Sequence, residues 1–587
     1  MFSVSNAGPS GKSSHFLPSC PRGLARFSHD TGAEADYIAS THKKNECCCS
    51  DVKLPELNPK AAPQFVDAQA CKTWLQSVPL ANVTVAQQDL LHELEAFNSF
   101  PTSGANRLAV LEAMREPVSF VQVEQAKRFT NRALPMAQAE SAAFQDTIEL
   151  WEQMRVGYLR CLQAAAGGDS AMRSQAALLA QRLGAYSGLK MFHYYRAYRE
   201  VPPQDWRSLH EVYAIAEKLG VAEDAVKDYL NRDIHDSSPR IAYARALLMG
   251  FANPHELGQR QLTFVAFLLE RWASKLEIAR KPVAEADGVP PLLVDLAGDR
   301  LPERVAANTP LPSEARYLDT RKLAKSLRNR VALLRKGESP AKLALGEDCV
   351  QPSCEQTLVF LFRHWCQARS ERPIAARAAT LTAQVTNDME AIHHYMSAGS
   401  QRRQIEAREL TQQQRQELET LGHIRSVHNE QYTSERGYAL EDWRILDDSA
   451  TELQIVRAPG GGAKRYAHGQ LVAVRPPDAS GFILGQVRWL IGAVSGDLRA
   501  GVKLMPGIAA ATSVRGTGLN DKGERPTSAL ALGAVPAVKS PPTLVLPAGW
   551  FKPKRVLEVV GEKPYKVRLT DVIERGSDYE RVAYETA

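Results

Sequence analysis

The hydrophobic pattern of this chain changes its period once, near Tyr432, and that change limits the folds open to it. Upstream, apolar residues recur every three or four positions, most clearly over Gln138–Ala166, as in an amphipathic helix. Downstream, as in 443–507, apolar and polar residues alternate in short runs broken by glycine turns. This pattern is typical of the strands of a small barrel. The sequence therefore predicts a multidomain α + β protein, with an all-α region ahead of a β-barrel.

Length and composition agree with several units. The chain has 587 residues, which is more than one hydrophobic core supports. The predicted units, in chain order, are a disordered leader (1–62), a helical domain (63–400) with a possible sub-boundary in the Pro/Gly/Asp-rich loop at 281–310, a helical linker (401–431), a barrel (432–510), a loop (511–542) and a β extension (543–587).

The strand pattern is specific enough to give bounds. After Tyr432 the period of the apolar residues drops from 3.6 to 2, which indicates strands. The predicted strands are Trp443–Leu446, Glu452–Arg457, Leu471–Arg475, Phe482–Leu490, Leu498–Leu504, Thr543–Leu546, Val556–Val560, Tyr565–Leu569 and Tyr579–Ala583.

One helical segment carries a repeat-like spacing. Trp206, Leu209 and Tyr213 follow the Trp-x2-Leu-x3-Tyr order of the first helix of a tetratricopeptide repeat, although His210 stands where that family prefers glycine. The partial signal, around 205–229, favours helical hairpins in the N-terminal region.

Composition argues against several classes of function. The net charge of +6 is spread over the whole chain, whereas nucleic-acid binders concentrate Lys and Arg on one face. No apolar run reaches the ~18–20 residues that span a bilayer. The nine cysteines show no disulfide spacing, which favours a reducing cytoplasm. We therefore expect a cytoplasmic protein with neither a nucleic-acid partner nor a membrane span.

The β region also resembles a known family. Asp447-Asp448-Ser449, Gly469-Gln470-Leu471-Val472, Val487-Arg488-Trp489 and Gly501-Val502 occur in the order found in PilZ domains, so residues 424–507 resemble a degenerate PilZ domain. The resemblance implies a six-stranded barrel with extra strands after it. It also implies a bacterial signalling protein, because many members of that family bind cyclic di-GMP.

The family's ligand site has two parts, which the resemblance carries onto four residues. In the family, an Arg-x-x-x-Arg segment lies ahead of the first strand, and its guanidinium groups stack on guanine and donate paired hydrogen bonds to phosphate. Here Arg425 and Arg436 are the candidates for these arginines. An Asp-x-Ser-x-x-Gly motif on the barrel wall holds the base edge, and here Asp447 and Ser449 match it. Glu452 occupies the glycine position, and its bulk and negative charge oppose a dianionic ligand.

Other motifs predict no catalytic or metal site. Gly8-Pro-Ser-Gly11-Lys12-Ser13 imitates a phosphate loop, but it lacks the preceding strand and has Asn6 in place of the first glycine. Cys349, Cys354, His364 and Cys366 could be read as a zinc quartet, but one residue between the last two suits a tetrahedral ion poorly. We expect neither an enzyme nor a cofactor.

Two functions stay open. The first is a non-enzymatic signalling protein in which the barrel binds cyclic di-GMP and a helical region binds an unidentified protein partner. The alternative is an interaction scaffold whose degenerate barrel binds no nucleotide, with Asp447 and Ser449 acting only as turn residues.

Overall fold

A computed structural model describes residue 54 and residues 56–587 apart from 282–287, 305–310, 348, 368–380, 406–437, 450, 480, 519–525 and 562. The side chains of Asp448 and of 398–405 are also outside the description. The predicted leader, 1–62, therefore lies almost wholly outside the described residues, as does most of the predicted linker, 401–431. Within the described part, no helix combines the length and hydropathy needed to cross a bilayer.

Helices make up most of the described residues up to 405, as the 3.6-residue periodicity predicts. Their bounds are α1 Ala68–Leu75, α2 Val83–Ser99, α3 Gly104–Ala126, α4 Gln138–Ala166, α5 Ser170–Ser174, α6 Ala176–Arg196, α7 Pro203–Lys218, α8 Pro239–Phe251, α9 Gln259–Trp272, α10 Arg321–Arg335, α11 Ser353–Cys366 and α12 Met389–Ile405.

Helix α4 is the central element of the N-terminal helices and has the bounds predicted from its apolar stripe. Glu140 accepts a hydrogen bond from the backbone N–H of Ala137 at 2.8 Å, which satisfies a donor that the first turn leaves open. Trp151 and Tyr158 are buried against α6, where both contact the ring of Tyr186. Gly157 allows close approach to α3, since a Cβ there would lie 2.6 Å from Leu111.

The repeat-like segment around 205–229 is one helix followed by a hairpin. Trp206, Leu209 and Tyr213 are core residues of α7, but no second helix of a repeat follows within 220–229. Gly220, at φ +75°, ends the helix, and strands β1 (Val226–Lys227) and β2 (Asp236–Ser237) come next. The tetratricopeptide interpretation is thus wrong beyond its first helix, because its three apolar positions serve a single amphipathic helix.

A small sheet lies where a sub-boundary loop was expected at 281–310. It contains β3 (Glu277–Ala279), β4 (Leu292–Asp295), β5 (Glu303–Arg304) and β6 (Ala315–Asp319), in the order β3-β6-β4-β5. The Pro-rich composition hid β4, whose Leu292, Leu293 and Val294 are all buried.

The first barrel is a closed six-stranded sheet, as the PilZ-like resemblance implies. Its strands are β7 Thr382–Asn387, β8 Glu441–Asp448, β9 Glu452–Arg457, β10 Leu471–Arg475, β11 Ile483–Gly492 and β12 Leu498–Leu504, closed in the order β10-β11-β12-β9-β8-β7. Strand β7 lies far upstream of the predicted barrel bounds, 432–510. The sequence did not show it, because closing the sheet across a long connection is a tertiary event.

A second closed barrel follows directly. Its strands are β13 Ala509–Gly516, β14 Thr527–Leu532, β15 Thr543–Pro547, β16 Val556–Val560, β17 Tyr565–Arg575 and β18 Tyr579–Thr586, in the order β13-β14-β15-β18-β17-β16. The expected loop at 511–542 and β extension at 543–587 are therefore corrected to one barrel. Alanine, serine and threonine in β13 and β14 masked the strand pattern.

The helical region packs against one end of the first barrel. Leu134 and Tyr466 exchange backbone hydrogen bonds of 2.7 Å, and the backbone N–H of Glu200 donates to the carbonyl of Gly492 at 3.1 Å. Arg465 donates to the carbonyl oxygen of Ala133 at 2.6 Å. These contacts involve the β9–β10 loop and the end of β11, which is the end opposite the β8–β9 hairpin.

Candidate functional site

A β-bulge decides which way Asp447 points. Trp443 and Ile445 face the barrel core, so plain alternation would also turn Asp447 inward. The pairing with β9 shifts between Ile445 and Asp447, so that Asp447 lies opposite Gln454. Gln454 alternates with the buried Leu453 and Ile455 and therefore faces outward. The extra residue thus brings the Asp447 carboxylate to the outer wall, where it is half-buried.

Ser449 lies in the turn that joins β8 to β9 and is exposed. Its hydroxyl accepts a hydrogen bond from the backbone N–H of Glu452 at 3.0 Å and donates to the carbonyl of Glu452 at 3.1 Å. Its own backbone N–H donates to the same carbonyl at 2.8 Å. Ser449 therefore holds the turn, and a ligand would have to share or replace its bonds.

Charges of both signs surround this hairpin. Glu452 is exposed at the start of β9 and lies directly across from Lys503 on β12. The Nζ of Lys503 is 3.7 Å from Glu574 of the second barrel. The cation across from Glu452 thus approaches a second carboxylate, and the negative charge that opposes an anionic ligand remains.

An open cavity of about 590 Å³ lies on the outer wall formed by β10, β7 and β8. Arg475 reaches into it, donating to the side-chain carbonyl of Gln384, and its guanidinium lies 4.9 Å from the ring centre of Phe482. Asp442 lines the same cavity. The sequence analysis missed these residues. A signal was present for Arg475, because it ends the apolar run Leu471–Val474 directly before two prolines, where a strand reaches the end of a barrel and its side chains meet solvent.

Arg444 connects the cavity with the hairpin. It is exposed, faces outward opposite Thr382, and has no carboxylate partner within the described residues. Along β8 it is three residues from Asp447, or about 10 Å. The outer wall therefore carries a strip of polar side chains, Asp442, Arg444 and Asp447, that ends at Ser449.

The two predicted arginines, Arg425 and Arg436, lie outside the described residues. They were chosen as the arginines ahead of Trp443–Leu446, then taken as the first strand. Because β7 is the first strand of this barrel, the segment directly ahead of it contains other arginines, Arg369, Arg372 and Arg377, also outside the described residues. The structure thus brings Asp447 and Ser449 to one hairpin and leaves their cationic partners as a prediction.

The cysteine interpretation needs a correction. Cys349 and Cys354 form a disulfide, with a Cα–Cα distance of 4.9 Å, contrary to the expectation of no disulfide spacing. A separation of five residues across a turn satisfies the geometry that the sequence spacing did not suggest. Cys366 is buried in α11, and burial raises the pKa of its thiol to about 12. Among the described residues, no three His, Cys, Asp or Glu side chains are arranged to hold a metal ion.

Two stretches of the chain match protein-family models. Residues 69–283 match the N-terminal domain of the cyclic-di-GMP receptor FimW, and residues 512–587 match the FimW C-terminal beta-barrel domain. The first stretch covers the helices through α9, and the second covers most of the second barrel. The first barrel, which carries the PilZ-like residues, lies between them.

One curated relative agrees with these matches. The chain is 28% identical over 218 residues to the cyclic-di-GMP receptor FimW of Pseudomonas aeruginosa strain PAO1. The alignment covers 36% of this chain and 36% of that protein, so the two correspond over about a third of their lengths.

Proposed function

We propose that this chain is a non-enzymatic receptor for cyclic di-GMP. The similarity of both its N-terminal helices and its second barrel to domains of a cyclic-di-GMP receptor carries the proposal. The barrel between them resembles PilZ, a family that binds the same nucleotide. Two independent likenesses, on different parts of the chain, thus agree on one ligand.

The first barrel is the proposed ligand site. The outward Asp447 carboxylate has no bonding partner within the described residues, so it is available to accept hydrogen bonds from a guanine edge. Ser449 supplies a hydroxyl beside it. Arg425 and Arg436 are proposed to clamp phosphate, because a guanidinium forks onto two oxygens and stacks on a base.

In our proposal, cyclic di-GMP binds at one end of this barrel and the helical region contacts the opposite end. The helical region contacts the β9–β10 loop through Tyr466 and Arg465, whereas Asp447 and Ser449 occupy the far hairpin. Engagement of Arg425 and Arg436 by the ligand would bias the helical region, which we propose binds a protein partner in the cytoplasm.

Calorimetric titration of the full chain with cyclic di-GMP tests this proposal. We expect saturable binding at micromolar ligand, weakened at least tenfold by Asp447→Ala or by Arg425→Ala with Arg436→Ala, because each removes charged hydrogen bonds. Ser495→Ala and Asp497→Ala are matched controls: they alter a Ser–Asp turn, with a 2.7 Å hydrogen bond, at the opposite end of the barrel. A folded chain without saturable binding contradicts the proposal.

A scaffold that binds no nucleotide is the second candidate. The hydrogen bonds between Ser449 and the backbone of Glu452 favour it, because they already occupy the hydroxyl. In that case Ser449→Ala and Arg425→Ala leave partner capture unchanged, and cyclic di-GMP shifts neither capture nor thermal stability. Wild-type binding at micromolar ligand rejects this candidate.

A further inference from the structure

A second cavity, of about 740 Å³, opens between α10 and the turn after α9, far along the chain from the first barrel. Among the described residues, its lining contains six cationic side chains and no carboxylate. The six cations are Lys275, Arg321, Lys322, Lys325, Arg328 and Arg330. Neighbouring carboxylates neutralise two of the cations: Arg321 pairs with Asp319 at 2.6 Å and Lys322 with Glu277 at 2.5 Å.

Two of the remaining cations, Arg330 and Lys275, lie close together beside one hydroxyl. The Nη1 of Arg330 donates to the hydroxyl of Ser326 at 2.6 Å, and the Nζ of Lys275 lies 3.4 Å from that same hydroxyl. Both cations lie over the buried indole of Trp272, with Arg330 Cζ at 5.0 Å and Lys275 Nζ at 5.8 Å from a ring centre. Cation–π contact and one shared hydroxyl fix the pair in place.

This juxtaposition carries an electrostatic cost that the Trp272 ring, the Ser326 hydroxyl and the carbonyl of Leu343 offset only in part, because none of them carries a full negative charge. Both side chains are half-buried, and neither has a carboxylate partner in the described part of the chain. Burial and then the charge of Arg330 lower the pKa of Lys275, and burial lowers that of Arg330. An anion between them would relieve the repulsion between the two positive charges.

We propose that this cavity binds the phosphate group of a nucleotide-sized phosphate ester. Arg330 uses its Nε for the carbonyl of Leu343 and its Nη1 for Ser326, which leaves its Nη2 beside Lys275 and the Ser326 hydroxyl. Donors of this kind around one point match the oxygens of a phosphate, which accepts several hydrogen bonds at once. Lys325, an exposed lining residue, adds positive charge for a second phosphate or an ester oxygen. The volume falls within the range of ordinary small-molecule sites.

The site shares no residue with the site proposed on the first barrel. It lies in residues 275–330, whereas the proposed cyclic-di-GMP residues lie in 425–449. Only Lys275 falls inside the segment that matches the FimW N-terminal domain, 69–283. Failure of one site therefore leaves the other untouched.

Titration of the full chain with pyrophosphate, by calorimetry in a phosphate-free buffer of low ionic strength, tests the proposal. We expect one saturable site whose affinity falls at least tenfold in Lys275→Met with Arg330→Met, and several-fold in Ser326→Ala, with circular dichroism unchanged. Lys322→Met is the matched control, because its charge already pairs with Glu277. Asp447→Ala is expected to leave pyrophosphate binding unchanged, which separates this site from the barrel.

Other outcomes would overturn the inference. Glu285 and Asp287 lie just before the lining residue Val289, so a competing explanation is that these carboxylates occupy the cations themselves. If pyrophosphate binds only after Glu285→Gln with Asp287→Asn, the wild-type chain has no phosphate site in this cavity. The same conclusion follows if the Lys275→Met, Arg330→Met variant binds pyrophosphate as tightly as wild type does. Binding that is seen only with a long oligonucleotide or with anionic vesicles, and not with pyrophosphate, equally rejects a small-ligand site.

Discussion

The hydroxyl of Ser449 exchanges two hydrogen bonds with the backbone of Glu452, at 3.0 and 3.1 Å. Those bonds hold a tight turn whose fourth residue is a glutamate where PilZ domains have glycine. The turn is thus the place where the two functional candidates differ, because the same atoms can either stabilise a hairpin or meet a base edge.

Replacing Glu452 by glycine is expected to tighten cyclic-di-GMP binding about tenfold, because the change removes a carboxylate and a side chain beside the proposed site. Isothermal titration of the full chain measures it. Glu452→Gln removes the charge and keeps the bulk, so it should recover only part of the gain. Unchanged affinity in both variants means that the ligand does not approach this turn.

The buried ion pair between Glu441 and Arg457 is expected to hold the start of β8 in the first barrel. Their side chains meet at 2.6 Å and each is only 4% exposed. Tyr466 donates to the same carboxylate at 2.9 Å. Glu441→Leu leaves the arginine charge buried without its partner and should destabilise the barrel by about 3–5 kcal/mol.

Hydrogen exchange of β8 and β9 measures that loss within the full chain. The double variant Glu441→Leu with Arg457→Leu should lose less than Glu441→Leu alone, since no isolated charge remains. Arg444→Leu, on the exposed face of the same strand, serves as a control and should change protection little. Equal protection in Glu441→Leu and wild type would show that the pair contributes nothing to the barrel.

Local periodicity was enough to predict much of the fold. The bounds of α4, β9, β10, β12 and β16 agree with the sequence prediction because each has a regular apolar pattern and a turn-forming residue at its end. Strands β13 and β14 were missed because Ala, Ser and Thr give little contrast between the two faces. Strand β7 was missed because only the closed barrel pairs Val385 with Glu441 and Val474.

The candidate site was also predictable only in part, where a local motif was enough. Asp447 and Ser449 could be selected from a motif, but the direction of Asp447 depends on a bulge that no local pattern reveals. The cavity around Arg475 joins three strands that are distant in sequence. Lys275 and Arg330 could not be paired in advance, because they meet only when α10 packs beside the end of α9.

The contact of Arg465 with the carbonyl of Ala133 is expected to transmit ligand binding to the helices. Arg465 also pairs with Glu140, at the start of α4. In wild type, cyclic di-GMP should slow hydrogen exchange in residues 133–140, and Arg465→Ala should abolish that protection while leaving affinity within about twofold. Arg488→Ala, an exposed arginine on the same barrel, should retain it. Protection that persists in Arg465→Ala would place the coupling elsewhere.

Acid is expected to destabilise the helical region through His193. This side chain is buried against Trp151 and Phe129, and burial, reinforced by the charge of Arg196, lowers its pKa from 6.5 to about 3. Between these two values the unfolded chain binds a proton that the folded chain excludes. Stability is therefore complete above pH 6.5 and falls by about 1.4 kcal/mol per unit below it.

Urea unfolding of the helices at pH 7.5 and 5.5 measures this effect, in a window where carboxylates titrate little. His193→Gln keeps a neutral polar side chain that cannot titrate, so its free energy of unfolding should depend less on pH than that of wild type. Burial also lowers the pKa of His210 and His255, so part of the slope should remain. Parallel pH dependences in wild type and His193→Gln would show that His193 already takes up its proton in the folded state.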